Sequence, residues 1–291
     1  MPVSLDCVLC LTRQSLEAAR FATPDETLHA AVLKAAFQIV QDIGFKQIPP
    51  LVAQEIQRVI RKETGNPDPY QNQKNNSNEL MVSLRDKLRS NILAAAEPFR
   101  QAVQLAVAGN TIDYAVRGDW DAELILNALE TAMQQPLNGN VGDFEAVLKK
   151  STNVLYLLDN CGEIVCDQLL LEEIKRRYPY LSITAVARGL PVLNDATIAD
   201  AQQIGLDNTV PLIDNGNDGV GTLLEQNGEE LKRALKKCDL IIAKGLANYE
   251  TLAEYDKSVL PMPICYLFKA KCKFIAKYAG VQYQDLVLRV V

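Results

Sequence analysis

Residues 153–163, NVLYLLDNCGE, decide the fold of the second half of the chain. Val154, Leu155, Tyr156, Leu157 and Leu158 form a short apolar run, β-branched and aromatic enough to favour a buried strand over a helix. Asp159 and Asn160 fall at the carboxyl end of that strand. Glu163 then opens the helical pattern IVCDQLLLEEIKRR. In an open parallel sheet, ligands bind outside the carboxyl ends of the strands. An acid and an amide at that position offer hard oxygen donors of the kind Mg²⁺ or Mn²⁺ takes. The plainer alternative is an Asx turn with a helix N-cap.

Working outward, apolar strand runs alternate with helical segments from residue 151 onward. Strands are expected at 153–159, 181–187, 209–213, 239–243 and 263–268, with a terminal run at 286–291. Helices are expected near 163–177, 195–204, 228–237, 248–256 and 270–279. Such alternation indicates a mostly parallel sheet with helices on both faces. The first half differs: 12–22, 24–43, 49–64, 78–95 and 97–108 carry apolar residues at three- and four-residue spacing. Prolines at Pro24, Pro49 and Pro50 punctuate helix starts, and 65–78 reads as a polar loop dense in Asn, Pro and Gly. Short helices are expected at 120–134 and 142–150. The fold class is therefore α/β: a Rossmann-like three-layer α/β/α domain with a mostly parallel sheet, at 119–291. An all-helical amino-terminal domain at 1–118 precedes it, with the boundary lying within 115–150.

Composition narrows the chemistry. With 48% hydrophobic and 23% charged residues the chain is ordinary globular protein, and a net charge of -6 argues against nucleic-acid or membrane-surface binding. There is no signal-peptide pattern and no run long enough to span a membrane, and seven cysteines suit a reducing compartment, so a cytoplasmic protein is expected. His29 is the only histidine, and it lies in a helical run without catalytic neighbours. His dyads, Ser-His-Asp triads and His-rich zinc sites are thereby set aside. Carboxylates, lysines, amides, cysteines or a metal must carry any chemistry.

Further candidate groups lie at strand ends and breaks. Asp195, in GLPVLNDAT, follows the second strand, where neighbouring parallel strands would bring it near Asp159; capping of the next helix is the alternative. In KGLANYE (244–250), Lys244 and the following helix start could cradle an anion, although plain turn chemistry also fits. In FKAKC (268–272), Lys269 and Lys271 sit two apart, so only one can share a given face. Asn110 and Asp113, in GNTIDYAVRGD, could reach from the helical half, or could simply cap helices. Cys7 and Cys10 form a lone CxxC placed before a helix, weak as a zinc or thioredoxin-type signal. The calcium-like stretch Asp214–Gly219 lacks the glutamate such a loop needs at its twelfth position, and is expected to be a strand-end loop near the site.

Together LLDNCGE, LNDAT, KGLANYE, FKAKC and GNTIDYAV resemble the damage-control phosphatase family, also known as domain of unknown function 89 or acidic-residue-methyltransferase-like. The likeness covers nearly the whole chain, and the CxxC resembles that of the family's microbial branch. It implies a helical domain on a Rossmann-like domain and a metal-dependent phosphatase acting on small phosphorylated metabolites, such as damaged or overflow sugar phosphates. By matching motifs, Asp159, Asn160 and Asp195 would bind a divalent ion (Mn²⁺, Mg²⁺, Ni²⁺ or Co²⁺). Lys244, Asn248 and Tyr249 would line the substrate site, and Lys271 would bind phosphate. Asn110, Asp113 and Glu163 follow by looser analogy. The family's eukaryotic branch has an Arg-Thr-x-Lys element where this chain has Phe268-Lys269-Ala270-Lys271.

The expected reaction is hydrolysis of a phosphate monoester by water, with Lys244 and Lys271 balancing phosphoryl charge and Asp159 or Glu163 accepting a proton. A phosphoaspartate route through Asp159 would want a second acid two positions on, where Cys161 stands. Methyl transfer from S-adenosylmethionine would want a glycine-rich loop, and only Gly162 is present. A non-catalytic metabolite or metal binder using the CxxC is the remaining alternative.

Overall fold

The computed structural model describes residues 2–110 and 122–291. Asp113 and the expected domain boundary at 118/119 lie outside the described residues. A helical start, α1 (Leu5–Ala22), α2 (Glu26–Ile43) and α3 (Pro49–Thr64), is followed by α4 (Gln71–Ala94), α5 (Pro98–Gly109) and α6 (Ala122–Met133). Then come β1 (Leu137–Asn138), α7 (Val141–Leu148), β2 (Asn153–Leu157), α8 (Glu163–Arg177), β3 (Ser182–Ala187), α9 (Ile198–Gln203) and β4 (Leu212–Asp214). The chain ends with α10 (Glu229–Leu235), β5 (Leu240–Lys244), α11 (Gly245–Leu252), β6 (Ile264–Lys269), α12 (Lys273–Ala279) and β7 (Leu286–Val290).

The seven strands form one sheet in the order β1-β7-β6-β5-β2-β3-β4, parallel except at the β6–β7 pair. The expected α/β class with a mostly parallel sheet is what the structure shows. β2 is central, with Val154–Leu157 paired to Ile183–Val186 on one side and Leu240–Ala243 on the other. Strand order reverses between β2 and β5, which opens a crevice at their carboxyl ends.

Successive β2 residues feed opposite layers, as a pleated strand requires. Val154, Tyr156 and Leu158 pack with α4, α5, α6 and α8, whereas Leu155 and Leu157 pack against the layer containing α11 and α12. A third core unites α1, α2 and α3 with Val192 and Val220 from loops of the sheet domain. The apolar cores thus divide the chain differently from sequence texture. α4 and α5 are helical, like the residues before them, but they bury their apolar stripes on the sheet.

Three local expectations change. The segment 65–78 is not all loop, because α4 begins at Gln71. Its polar first turns are held by tertiary partners: buried Lys74 meets Asp68 and Asp200 at 2.6 and 2.8 Å, and Asn78 accepts from the Gly162 amide at 2.7 Å. The CxxC lies within α1, not before it, since Ser4 caps that helix by accepting from the Cys7 amide. β1 carried no signal, being two residues that complete the edge beside β7.

The Asp214–Gly219 stretch is a loop pinned to α3. Asp218 accepts from Gln54, Arg58 and Arg61, and Asn215 and Asn217 tie the loop to itself and to Gly189. Burial pushes the Asp218 carboxyl up, but these hydrogen bonds outweigh it and hold it at about 2. A depressed carboxyl stabilises the fold above its unfolded value, and that stabilisation fades as pH falls toward 2. Asp218→Asn is therefore expected to cost about 2 kcal/mol at neutral pH by urea unfolding. The gap to the parent should shrink steadily below pH about 4.

Candidate active site

Two backbone segments are joined at the carboxyl ends of β2 and β3. Asn160 and Asp195 form an isolated bridge, the Cys161 amide donates to the Asn194 carbonyl at 2.9 Å, and the Ala196 amide donates to the Asp159 carbonyl at 2.8 Å. Residues about thirty-six apart in sequence are thereby fixed side by side. Neither segment spends its side chains on helix capping. α8 is preceded by Gly162 with no side-chain cap, and α9 is capped by Thr197 in a reciprocal box with Asp200. Asp159, Asn160 and Asp195 are left for other work.

All three line a cavity of about 330 Å³ with Asn110 and Lys271. α1 contributes Cys10, Arg13, Gln14 and Glu17, and the rest of the lining includes Tyr70, Leu193, Val220, Leu246, Ala247 and Cys272. A larger surface groove of about 670 Å³ between α4 and α8 has four cationic side chains. Each is already engaged: Arg85 with Gln168, Arg89 with Glu172, Lys175 with the Thr209 carbonyl and Arg176 with Glu173.

Amides hold the acids in place. Asn110 donates through Nδ2 to Asp159 Oδ2 at 3.0 Å and to Glu163 Oε2 at 2.7 Å, while its Oδ1 accepts from the Lys269 amide at 3.2 Å. Asn160 Nδ2 donates to the same two carboxylates at 2.8 and 3.3 Å, so the oxygen of its amide is the atom left for a ligand. Burial, and then the charges of Glu163 and Asp195, push Asp159 well above the ordinary carboxylate range against the pull of Arg188 and Lys271. Burial also raises Asp195, opposed first by Arg188.

Arg188, at the end of β3, is buried between these acids. Its Nε donates to Asp195 Oδ2 at 2.7 Å, and its Nη2 lies 3.9 Å from Asp159 Oδ1 without a hydrogen-bond partner. One guanidinium is thus hydrogen-bonded to Asp195 and lies within ion-pair range of Asp159. Arg188 stands at the end of its strand much as Asp159 does on β2, and only the flanking acids distinguish it from an ordinary strand-end arginine.

Four expected site residues stand behind the cavity wall. Lys244 is wholly buried, and its Nζ donates to Glu163 Oε1 at 2.6 Å, Asp167 Oδ1 at 2.5 Å and the Ala106 carbonyl at 2.7 Å. Burial lowers its pKa, but Asp167 and Glu163 outweigh that and hold the ammonium charged. With every donor engaged, Lys244 has none to spare for an anion; it anchors Glu163. Glu163 is 1% exposed and does not line the cavity. Asn248 donates to the Leu158 and Lys244 carbonyls and accepts from Thr222, bracing the crevice from beneath. Tyr249 stacks on Phe268 at 4.7 Å and meets Tyr266 edge-on, inside the opposite core. The start of α11 contributes Leu246 and Ala247 to the cavity instead. Of the two lysines after β6, Lys271 lines the cavity and Lys269 does not.

Gly245 allows this close approach. Its φ is +75°, and a Cβ there would lie 1.8 Å from Asp159 Oδ2. Gly245→Ala is expected to lower stability by more than about 2 kcal/mol and to displace the Asp159 carboxyl. A melting curve and a ligand-binding titration would read both effects.

The donor chemistry suits a hard divalent cation: two buried carboxylates and a half-buried amide oxygen, with the acids crowded beyond what Arg188 offsets. Among the described residues no three His, Cys, Asp or Glu side chains are grouped for a metal. The protein would thus supply a partial oxygen shell with positions left for water and ligand.

These features define an α/β protein with an oxygen-donor site at the switch point of a parallel sheet, roofed by amino-terminal helices. The damage-control phosphatase ARMT1-like domain model matches residues 3–287. The chain belongs to that family. It is 34% identical to a damage-control phosphatase of Archaeoglobus fulgidus over 100% of both chains. It is 31% identical to damage-control phosphatase PH1575 of Pyrococcus horikoshii, over 99% of this chain and 97% of that one. An uncharacterized protein of Methanocaldococcus jannaschii is 35% identical over 97% and 93%. The crystal structure of the Pyrococcus horikoshii duf89 family protein superposes with a TM-score of 0.89 at 29% identity, covering 99% of this chain and 98% of the other. These names support a phosphatase-type hydrolase. Among the described residues no helix is long and apolar enough to cross a membrane.

Proposed function

We propose that this protein is a metal-dependent phosphatase that hydrolyses phosphate monoesters of small metabolites, such as sugar phosphates or damaged phosphometabolites, in the cytoplasm. The observation that carries this is the convergence of Asp159, Asn160 and Asp195 on one cavity with Lys271 in its wall. Asp159, Asn160 and Asp195 would hold one divalent cation, with Mn²⁺, Mg²⁺, Ni²⁺ and Co²⁺ all suited to oxygen donors. When bound, the cation supplies charge for the phosphoryl oxygens and makes water more acidic.

The remaining work belongs to the chain. Lys271 draws the phosphoryl group in and balances charge as it transfers. Arg188 orients the Asp195 carboxylate by its 2.7 Å hydrogen bond and opposes the upward push of burial on it. Asn110 orients Asp159. Of the two acids considered for proton acceptance, only Asp159 lines the cavity, so a proton leaving the attacking water would go there or to solvent. Lys244 fixes Glu163, and Glu163 in turn orients both asparagines. At about 330 Å³ the cavity suits a small ligand and not an extended one.

A screen of purified protein against divalent metals and small phosphate monoesters tests this directly. Chelation is expected to reduce phosphate release at least about tenfold, and one of the four metals should restore it. Unchanged turnover after exhaustive chelation would exclude metal dependence, and no turnover with any ester and metal would exclude the phosphatase.

A further inference from the structure

α1 buries one stripe and turns another to the site. Leu11, Ser15, Ala18 and Ala19 are buried. Cys10, Arg13, Gln14 and Glu17, at the three- and four-residue spacing of a single helix face, line the cavity that holds Asp159, Asp195 and Lys271. The polar groups of this second face are unspent. Among the described residues the Gln14 side chain has no hydrogen bond, and Arg13 has one ion pair, with Glu17 at 3.8 Å. Polar side chains on a helix are ordinary where they face bulk water. These share a cavity of about 330 Å³ with the candidate cation ligands, so a ligand that fills the cavity meets them.

Charge decides what kind of ligand that is. The lining acids Asp159, Asp195 and Glu17 face Arg13 and Lys271, with Arg188 bonded to Asp195 as a third cation. Those formal charges cancel, and so do the charges of a divalent cation and one phosphate monoester dianion. A second anionic group on the ligand would stand in the cavity without a counter-charge. Hydrogen-bonding capacity points the same way. Arg13 only donates, ionised Glu17 only accepts and Gln14 does both, which suits a row of hydroxyls, each donor and acceptor at once.

We propose, resting on the phosphatase reading above, that Arg13, Gln14 and Glu17 form the face that determines leaving-group specificity. They select a neutral, polyhydroxylated alcohol carrying a single phosphate, and disfavour bisphosphates and phosphorylated carboxylates.

Three esters of equal carbon number separate these effects: a hexitol monophosphate, the phosphohexonate in which a carboxylate replaces the terminal hydroxymethyl group, and hexyl phosphate, whose chain has no hydroxyl. With the full chain, kcat/KM for the hexitol ester is expected to exceed that for each of the others by at least about tenfold. Gln14→Leu should shrink the preference over hexyl phosphate by about fivefold, chiefly through KM, and Glu17→Gln should shift the ratio toward the phosphohexonate by about tenfold. A second readout needs no turnover. Cys10 is exposed and lies on the same face, so the hexitol ester should slow its alkylation by iodoacetamide, whereas inorganic phosphate should not. Cys7, which does not line the cavity, should be labelled at one rate throughout. Unaltered ratios in both variants, a parent that prefers the phosphohexonate, or Cys10 alkylation indifferent to the hexitol ester each overturn the assignment while leaving the hydrolase standing. A chain that hydrolyses none of the three esters with any of the four metals removes the hydrolase reading instead, and protection of Cys10 then decides whether α1 receives the polyol.

Discussion

Asp159→Asn is expected to leave a folded protein with at least about a thousandfold less phosphatase activity, the several kcal/mol of transition-state stabilisation that a catalytic cation supplies. The substitution keeps the side-chain shape and an oxygen for the amides of Asn110 and Asn160, which now donate to Asp159 Oδ2 at 3.0 and 2.8 Å. It removes one of the acids crowded in a buried site, so stability should hold or rise. On the proposed function, two buried carboxylates beside Glu163 would be kept for a ligand at some cost in stability. Steady-state hydrolysis and calorimetric Mn²⁺ titration should fall together while the melting temperature does not. Activity within tenfold of the parent in a correctly folded Asp159→Asn protein would contradict the metal assignment.

Lys244→Met is expected to cost about 3–5 kcal/mol, the range for removing one partner of a buried ion pair. Methionine fills the space but leaves Glu163 Oε1 and the Ala106 carbonyl without this donor, and Asp167 Oδ1 with only the Tyr156 hydroxyl at 2.9 Å. Asp167 already sits at about 7 because burial pushes it up more than Lys244 pulls it down, so without the lysine it would take up a proton. Loss of this ammonium also frees Glu163, which orients both asparagines of the site. Urea unfolding should show the lower stability, and Lys244→Met/Asp167→Asn should recover part of it, because the amide is neutral without having to take up a proton. If Lys244 were instead a ligand contact exposed to the cavity, the single variant would lose substrate affinity with little change in stability.

These two expectations concern residues that looked alike in sequence: both charged, both at the end of an apolar strand run. Asp159 was legible because β2 is a continuous apolar run that stops at an acid and an amide, and the carboxyl ends of parallel strands face one crevice. Lys244 satisfies the same criterion but points the other way. Its direction depends on α5 and α8 supplying a carbonyl and two carboxylates at 2.5 to 2.7 Å. Tyr249 was misplaced for a related reason, since an amphipathic ring suits a ligand pocket and an aromatic core equally well. Arg188 went unnoticed because an arginine after a strand is ordinary until two acids are seen on either side of it. The start of α4 was hidden by composition: QNQKNNSN is a poor helix by propensity. Lys74 and Asn78 make it one by bonding to Asp200 and Gly162.

The sequence by itself determined the alternation that builds the sheet, the helical runs between residues 12 and 108 on either side of the stretch 65–78, the two acids and the amide at strand ends, and the presence of a single histidine. Those follow from periodicity and side-chain type, which are local and survive without knowledge of neighbours. The tertiary structure alone decided that α4 and α5 join the sheet layer, that α1 brings Arg13, Gln14, Glu17 and Cys10 to the cavity, and that Lys244 is an anchor behind it. Each of these depends on which surface an element buries, and burial is a property of pairs of elements far apart in the chain.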